Sequence, residues 1–65
     1  MSSSHVRSAG YDPQKQTLEI EISSGGIYLY YDVPVQVFRE LMRIESPGRY
    51  FQEKIKLTYN FRRIG

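Results

Sequence analysis

Arg49 and Lys56 stand seven residues apart, Lys54 lies between them and Arg62-Arg63 follows, so the end of the chain carries cations able to donate to phosphate oxygens. Arg39 and Arg43, four apart, extend the set if they share its side. Contacts of this kind hold a nucleic-acid backbone without choosing a sequence. Tyr28, Tyr30 and Tyr31 supply a second chemistry, since a phenol ring either packs in a core or stacks on an unpaired base while its hydroxyl stays wet. The candidate binding residues are therefore Arg49, Lys54, Lys56, Arg62 and Arg63 for phosphates, with Tyr31 as the stacking ring.

Catalytic chemistry has little to work with. A nucleophile or base must be held by packed neighbours, and the one histidine, His5, follows three serines at the N-terminus. The carboxylates fall on turns and solvent faces, and no motif pairs two of them for acid–base work. With no cysteine, no paired histidines and no calcium loop, neither a disulfide framework nor a metal site is expected. Gly25-Gly26 joins two strands and does not open a helix, so it is not a phosphate loop. The expectation is a binding module without catalytic activity and without a cofactor.

Charge is unevenly placed. Net charge is +2. Residues 1–45 hold four basic and six acidic side chains, whereas residues 46–65 hold five basic ones against Glu53 alone. That imbalance points to an anionic partner for the C-terminal part. The opening residues lack the apolar core of a signal peptide and the longest apolar run, residues 27–31, is too short to cross a bilayer. No membrane partner is expected, and the cytoplasm is the expected location.

The elements that must position these groups follow from period and punctuation. Thr17-Leu18-Glu19-Ile20-Glu21-Ile22 alternates polar and apolar side chains, the mark of a half-buried strand. Asp12-Pro13-Gln14-Lys15 is a run of turn formers, and residues 6–11 before it read as a weaker strand. Ser23-Ser24-Gly25-Gly26 supplies a second hairpin turn. Residues 27–31 form a third strand, apolar on both faces, so alternation does not decide which side is buried. Packing is favoured for Tyr28 and Tyr30, which leaves Leu29 and Tyr31 outside. Pro34 suits the first position of a helix, Asp32 is placed to cap it, and Val37, Leu41 and Ile44 form its apolar stripe. Ser46-Pro47 starts a second helix whose Phe51, Ile55 and Tyr59 repeat every four residues and which is expected to end near Asn60. Residues 61–65 show no period and read as a docked segment or a frayed tail.

Gly10-Tyr11-Asp12, Thr17-Leu18-Glu19-Ile20, Gly26 with Tyr28-Leu29-Tyr30, Val33-Pro34 with Val37, and Ser46-Pro47-Gly48-Arg49-Tyr50-Phe51 resemble, in this order, the KTSC domain. This is a module of similar length found at the C-terminus of some lysyl-tRNA synthetases and as a single-domain bacterial protein. Leu29 departs from the pattern, since relatives often carry a polar or basic residue between the two tyrosines. The resemblance implies no activity, and its synthetase context points to RNA. The reading is one α+β domain over residues 1–65, with residues 1–4 disordered. It has a three-stranded antiparallel meander and two helices on one face (βββαα), and RNA or another nucleic acid as partner. The alternative is a protein partner or a second copy docked on Ile27, Leu29 and Tyr31.

Overall fold

Alternation in the second strand decides the sheet. The computed structural model describes residues 6–65, so the expectations for residues 1–4 and for His5 lie outside the described residues. β1 (Val6–Asp12), β2 (Thr17–Ile22) and β3 (Ile27–Tyr30) are antiparallel neighbours in that order. Leu18 and Ile20 on β2 are fully buried, while Glu19 between them is exposed. Register carries this division across the sheet. Tyr30 lies opposite Leu18 and Tyr28 opposite Ile20, whereas Leu29 faces Glu19 and Ile27 faces Glu21. The tyrosines at 28 and 30 are thus on the core side, and Ile27 and Leu29 on the other.

Two turns fix this register. At the first, Asp12 Oδ1 accepts from the backbone N–H of Gln14 at 3.0 Å and of Lys15 at 3.4 Å, the local bonding that makes aspartate a turn former. At the second, Gly25 adopts φ 112°, a backbone that favours glycine. Gly26 serves differently: a Cβ there would stand 2.8 Å from Cε1 of Tyr28, so the ring lies against the bare backbone.

Asp32, at φ 56°, ends the third strand. It does not cap the helix. Pro34 is the N-cap residue, with extended backbone, and α1 spans Val35–Arg43, so the helix begins one residue later than expected. Val33 is fully buried and its N–H donates to the Gln16 carbonyl at 2.9 Å, which ties this corner to the first hairpin. Leu41 is the buried residue of α1, and Val37 and Phe38 pack beside it.

α2 (Pro47–Tyr50) runs directly into a π-helical turn, Phe51–Ile55, in which the Lys56 N–H donates to the Phe51 carbonyl at 2.9 Å. Phe51 and Ile55 are buried together in the core. The helix does not continue to Asn60. After Ile55 the chain turns, Leu57 is 91% exposed, and residues 61–63 return to the sheet.

That return adds a strand. β4 (Phe61–Arg63) pairs antiparallel with β3, with Tyr28 opposite Arg63, Leu29 opposite Arg62 and Tyr30 opposite Phe61. Beyond it, Ile64 N–H donates to Ile27 O at 2.8 Å. The α+β architecture with helices on one face is as expected, but the sheet has four strands in the order β1-β2-β3-β4 where three were expected. The reason is a free edge: β3 presents unpaired N–H and C=O groups, and the last residues satisfy them although their sequence shows no strand period. Leu18, Ile20, Tyr30, Val33, Leu41, Phe51 and Ile55 form the core.

Candidate functional site

Strand alternation separates the two terminal arginines. Arg63 pairs with Tyr28 and lies on the helix side, whereas Arg62 pairs with Leu29 on the opposite face. Arg63 curls back, its Nε donating to the Gly65 carbonyl at 2.8 Å and its guanidinium carbon standing 5.8 Å from the Tyr28 ring centroid, within cation–π range. Neighbours in sequence serve different surfaces.

The remaining cations divide as well. Arg49 Nε donates to Glu53 Oε2 at 3.1 Å, both side chains being well exposed. Lys54 shares an open groove with Arg49, Glu40, Glu45 and Glu53, where acidic groups outnumber basic ones. Lys56 instead lines a cleft of about 200 Å³ whose other walls are Ile22, Tyr28, Tyr30, Phe51 and Phe61. Tyr31 lines neither. It sits with Leu29, Glu19, Thr17 and Lys15 around an open concavity of about 410 Å³ on the sheet's other face.

Of the six residues singled out by sequence, Lys56 lines the cleft and Arg63 lies against the ring of Tyr28, one of its walls. Arg49 and Lys54 share the acid-lined groove, and Arg62 and Tyr31 lie on the far face. The aromatic wall of the cleft, with Tyr28 and Phe61, is not among those six. Phe61 belongs to the segment expected to be docked or frayed, and it is docked: it is 52% exposed and its ring lies 5.6 Å from Tyr28 and 5.3 Å from Tyr30, while Tyr28 packs against the core as expected. The available signal was an aromatic residue directly before Arg62-Arg63, a juxtaposition typical of nucleic-acid grooves.

Tyr30 forms the floor. It is 2% exposed, meets Phe51 edge-on at 5.5 Å, and its hydroxyl has no hydrogen-bond partner among the described residues. Burial, with a smaller effect from nearby Tyr28, raises its phenol from 10.0 to about 12. The group is therefore a neutral donor and acceptor across the physiological range. No cluster of three or more His, Cys, Asp or Glu among the described residues is placed to hold a metal ion, and no helix there is long and apolar enough to cross a membrane.

Comparison with known proteins locates this fold. The family model of the KTSC domain matches residues 2–59. An uncharacterized protein of Stutzerimonas stutzeri is 46% identical over 56 residues, which is 86% of this chain and 79% of that one. A lysine–tRNA ligase of Nostoc is 38% identical over 61 residues, 94% of this chain but 11% of the ligase. The crystal structure of a KTSC domain protein from Yersinia pestis superposes with a TM-score of 0.90 at 40% identity, covering all of this chain and 92% of that one. From the family-model match over residues 2–59 and this superposition, the chain belongs to the KTSC domain family.

Proposed function

We propose that the domain is a non-enzymatic, cytoplasmic binding module for nucleic acid, RNA in preference, which engages phosphates along the edge formed by the π-helical turn and β4. The observation that carries this reading is Lys56 on an aromatic cleft whose Tyr28 ring also has the Arg63 guanidinium 5.8 Å from its centroid. Two cations beside the exposed Phe61 ring and the half-buried Tyr28 ring match what a nucleic-acid strand presents, anionic phosphates alternating with flat bases. The lysine–tRNA ligase relatives support RNA as the polymer. Arg62, without an ion-pair partner among the described residues, adds a third phosphate contact where the strand crosses β4. Arg49 and Lys54 contribute less, because Glu53 and its acidic neighbours offset their charge.

Charge reversal tests this. Lys56→Glu combined with Arg63→Glu should weaken RNA binding at least tenfold, whereas Arg49→Glu combined with Lys54→Glu should change it little. About three phosphate contacts to a single strand also predict that a fourfold rise in salt weakens binding ~20-fold. Unchanged affinity in the first pair refutes the assignment.

The uncovered face of the sheet favours a second reading, a protein partner or second copy resting on Ile27, Leu29 and Tyr31, of which Leu29 and Tyr31 line the 410 Å³ concavity. Leu29→Lys should abolish such docking and leave RNA binding intact.

A further inference from the structure

The cleft combines three features that folding does not require. Phe61 keeps half its surface in water although two tyrosine rings lie beside it. The Tyr30 hydroxyl, on a residue that lines the cleft and is 2% exposed, has no partner among the described residues, whereas buried hydroxyls are ordinarily bonded. The third is the π-helical turn. In an α-helix the neighbours of a residue are three and four positions away. Here the bond from Lys56 N–H to the Phe51 carbonyl spans five, and Phe51 and Lys56 line the same cleft. Widened turns of this kind are frequent at functional sites.

Size narrows the occupant. At about 200 Å³ the cleft is smaller than the ~300 Å³ at which drug-sized ligand sites begin. It has room for one flat ring. The walls offer ring faces and edges, the rim offers Lys56, and Arg63 stands over Tyr28. An apolar partner would leave both cations without a counter-charge, and a duplex keeps its bases stacked out of reach. We infer that the cleft is an insertion site for a single unpaired base of a nucleic-acid strand, stacked against Phe61 with its flanking phosphates on Lys56 and Arg63. The inference rests on the nucleic-acid reading and adds to it the mode of contact. Tyr30 is the hydrogen-bonding group left on the floor to meet the base edge, and duplex is bound less well than single strand.

The test uses a mixed-sequence RNA hexamer and the same hexamer with every base removed, each titrated at low salt. The native chain should bind the intact hexamer about tenfold more tightly, since one stacked base accounts for a difference of that order. Phe61→Ala should erase the difference while keeping the affinity for the abasic strand. Phe61→Leu, which retains apolar bulk against Tyr30, should do the same with an unchanged circular dichroism spectrum. Because the chain has no tryptophan, Phe61→Trp provides a single indole at the cleft whose fluorescence the intact hexamer should quench and the abasic one should not. Equal affinity of the native chain for both hexamers overturns base insertion and leaves phosphate binding standing. Failure to bind either one overturns both.

Discussion

Two aromatic pairs lie on the helix side of the same sheet and meet opposite fates. At the β1 end, Tyr11 and Phe38 stack at 5.2 Å with their planes 14° apart, and the Tyr11 hydroxyl donates to the Val33 carbonyl. At the β4 end, Tyr28 and Phe61 meet at 60° and 5.6 Å, one half-buried and the other half in water, with Arg63 over Tyr28 and Lys56 beside the cleft. Helix α1 supplies the partner ring in the first pair, and only a short edge strand supplies it in the second. How far an aromatic ring is covered in this fold follows from which element reaches it. The first pair is held by a helix and a hydrogen bond, and the second is left partly open to solvent.

The separation can be strained most strongly at Tyr30, which bridges the core and the cleft through Phe51 and Phe61. Replacing a buried aromatic side chain by alanine costs about 3–5 kcal/mol, comparable to the whole stability of a domain this small. Tyr30→Ala should therefore be largely unfolded in thermal and urea denaturation followed by circular dichroism.

Alkali probes the same residue more gently. Its phenol ionises near 10.0 in the unfolded chain and at about 12 in the folded one, so above pH 10 the unfolded chain holds fewer protons and stability falls as pH rises. Its contribution is fully present below pH 10 and about 2–3 kcal/mol is lost by pH 12. Tyr50, also raised by burial and by neighbouring Glu40 and Tyr59, acts in the same direction. Urea midpoints measured between pH 8 and 12 should decline only in the upper half of that range, and Tyr30→Phe should flatten the decline.

Tyr11→Phe sharpens the contrast between the pairs. It removes the donor to Val33 and leaves that buried carbonyl unpaired, with an expected loss of about 1–2 kcal/mol and no change in RNA affinity. The smallest effect belongs to Arg49→Ala. It breaks an exposed i,i+4 pair worth about 0.3–0.5 kcal/mol and should shift RNA affinity less than twofold.

Much of the sheet was readable because local pattern and final packing agree. Leu18, Ile20 and their acidic neighbours alternate in sequence as they do in space, and Gly25 sits where a turn needs its backbone. The helix start after Val33 was legible to within a residue, although Asp32 bends the chain and does not cap. What could not be read depends on distant partners. Phe61-Arg62-Arg63 becomes a strand only because β3 offers a free edge, and until that pairing exists nothing assigns Arg62 and Arg63 to opposite faces. The five-residue bond from Lys56 to Phe51 has no sequence signature either, since the four-residue repeat of Phe51, Ile55 and Tyr59 suits an ordinary helix. The candidate site shares both difficulties. Lys56 and Arg63 were visible as charges, but the rings that join them, Tyr28 and Phe61, are brought together by β4.

The most direct measurement is an amide chemical-shift titration of the labelled chain with the mixed-sequence RNA hexamer at two salt concentrations. Salt-sensitive shifts centred on Lys56, Phe61, Arg63 and Tyr28 are the predicted result. Shifts centred on Leu29 and Tyr31, or no shifts at low salt, would contradict the account.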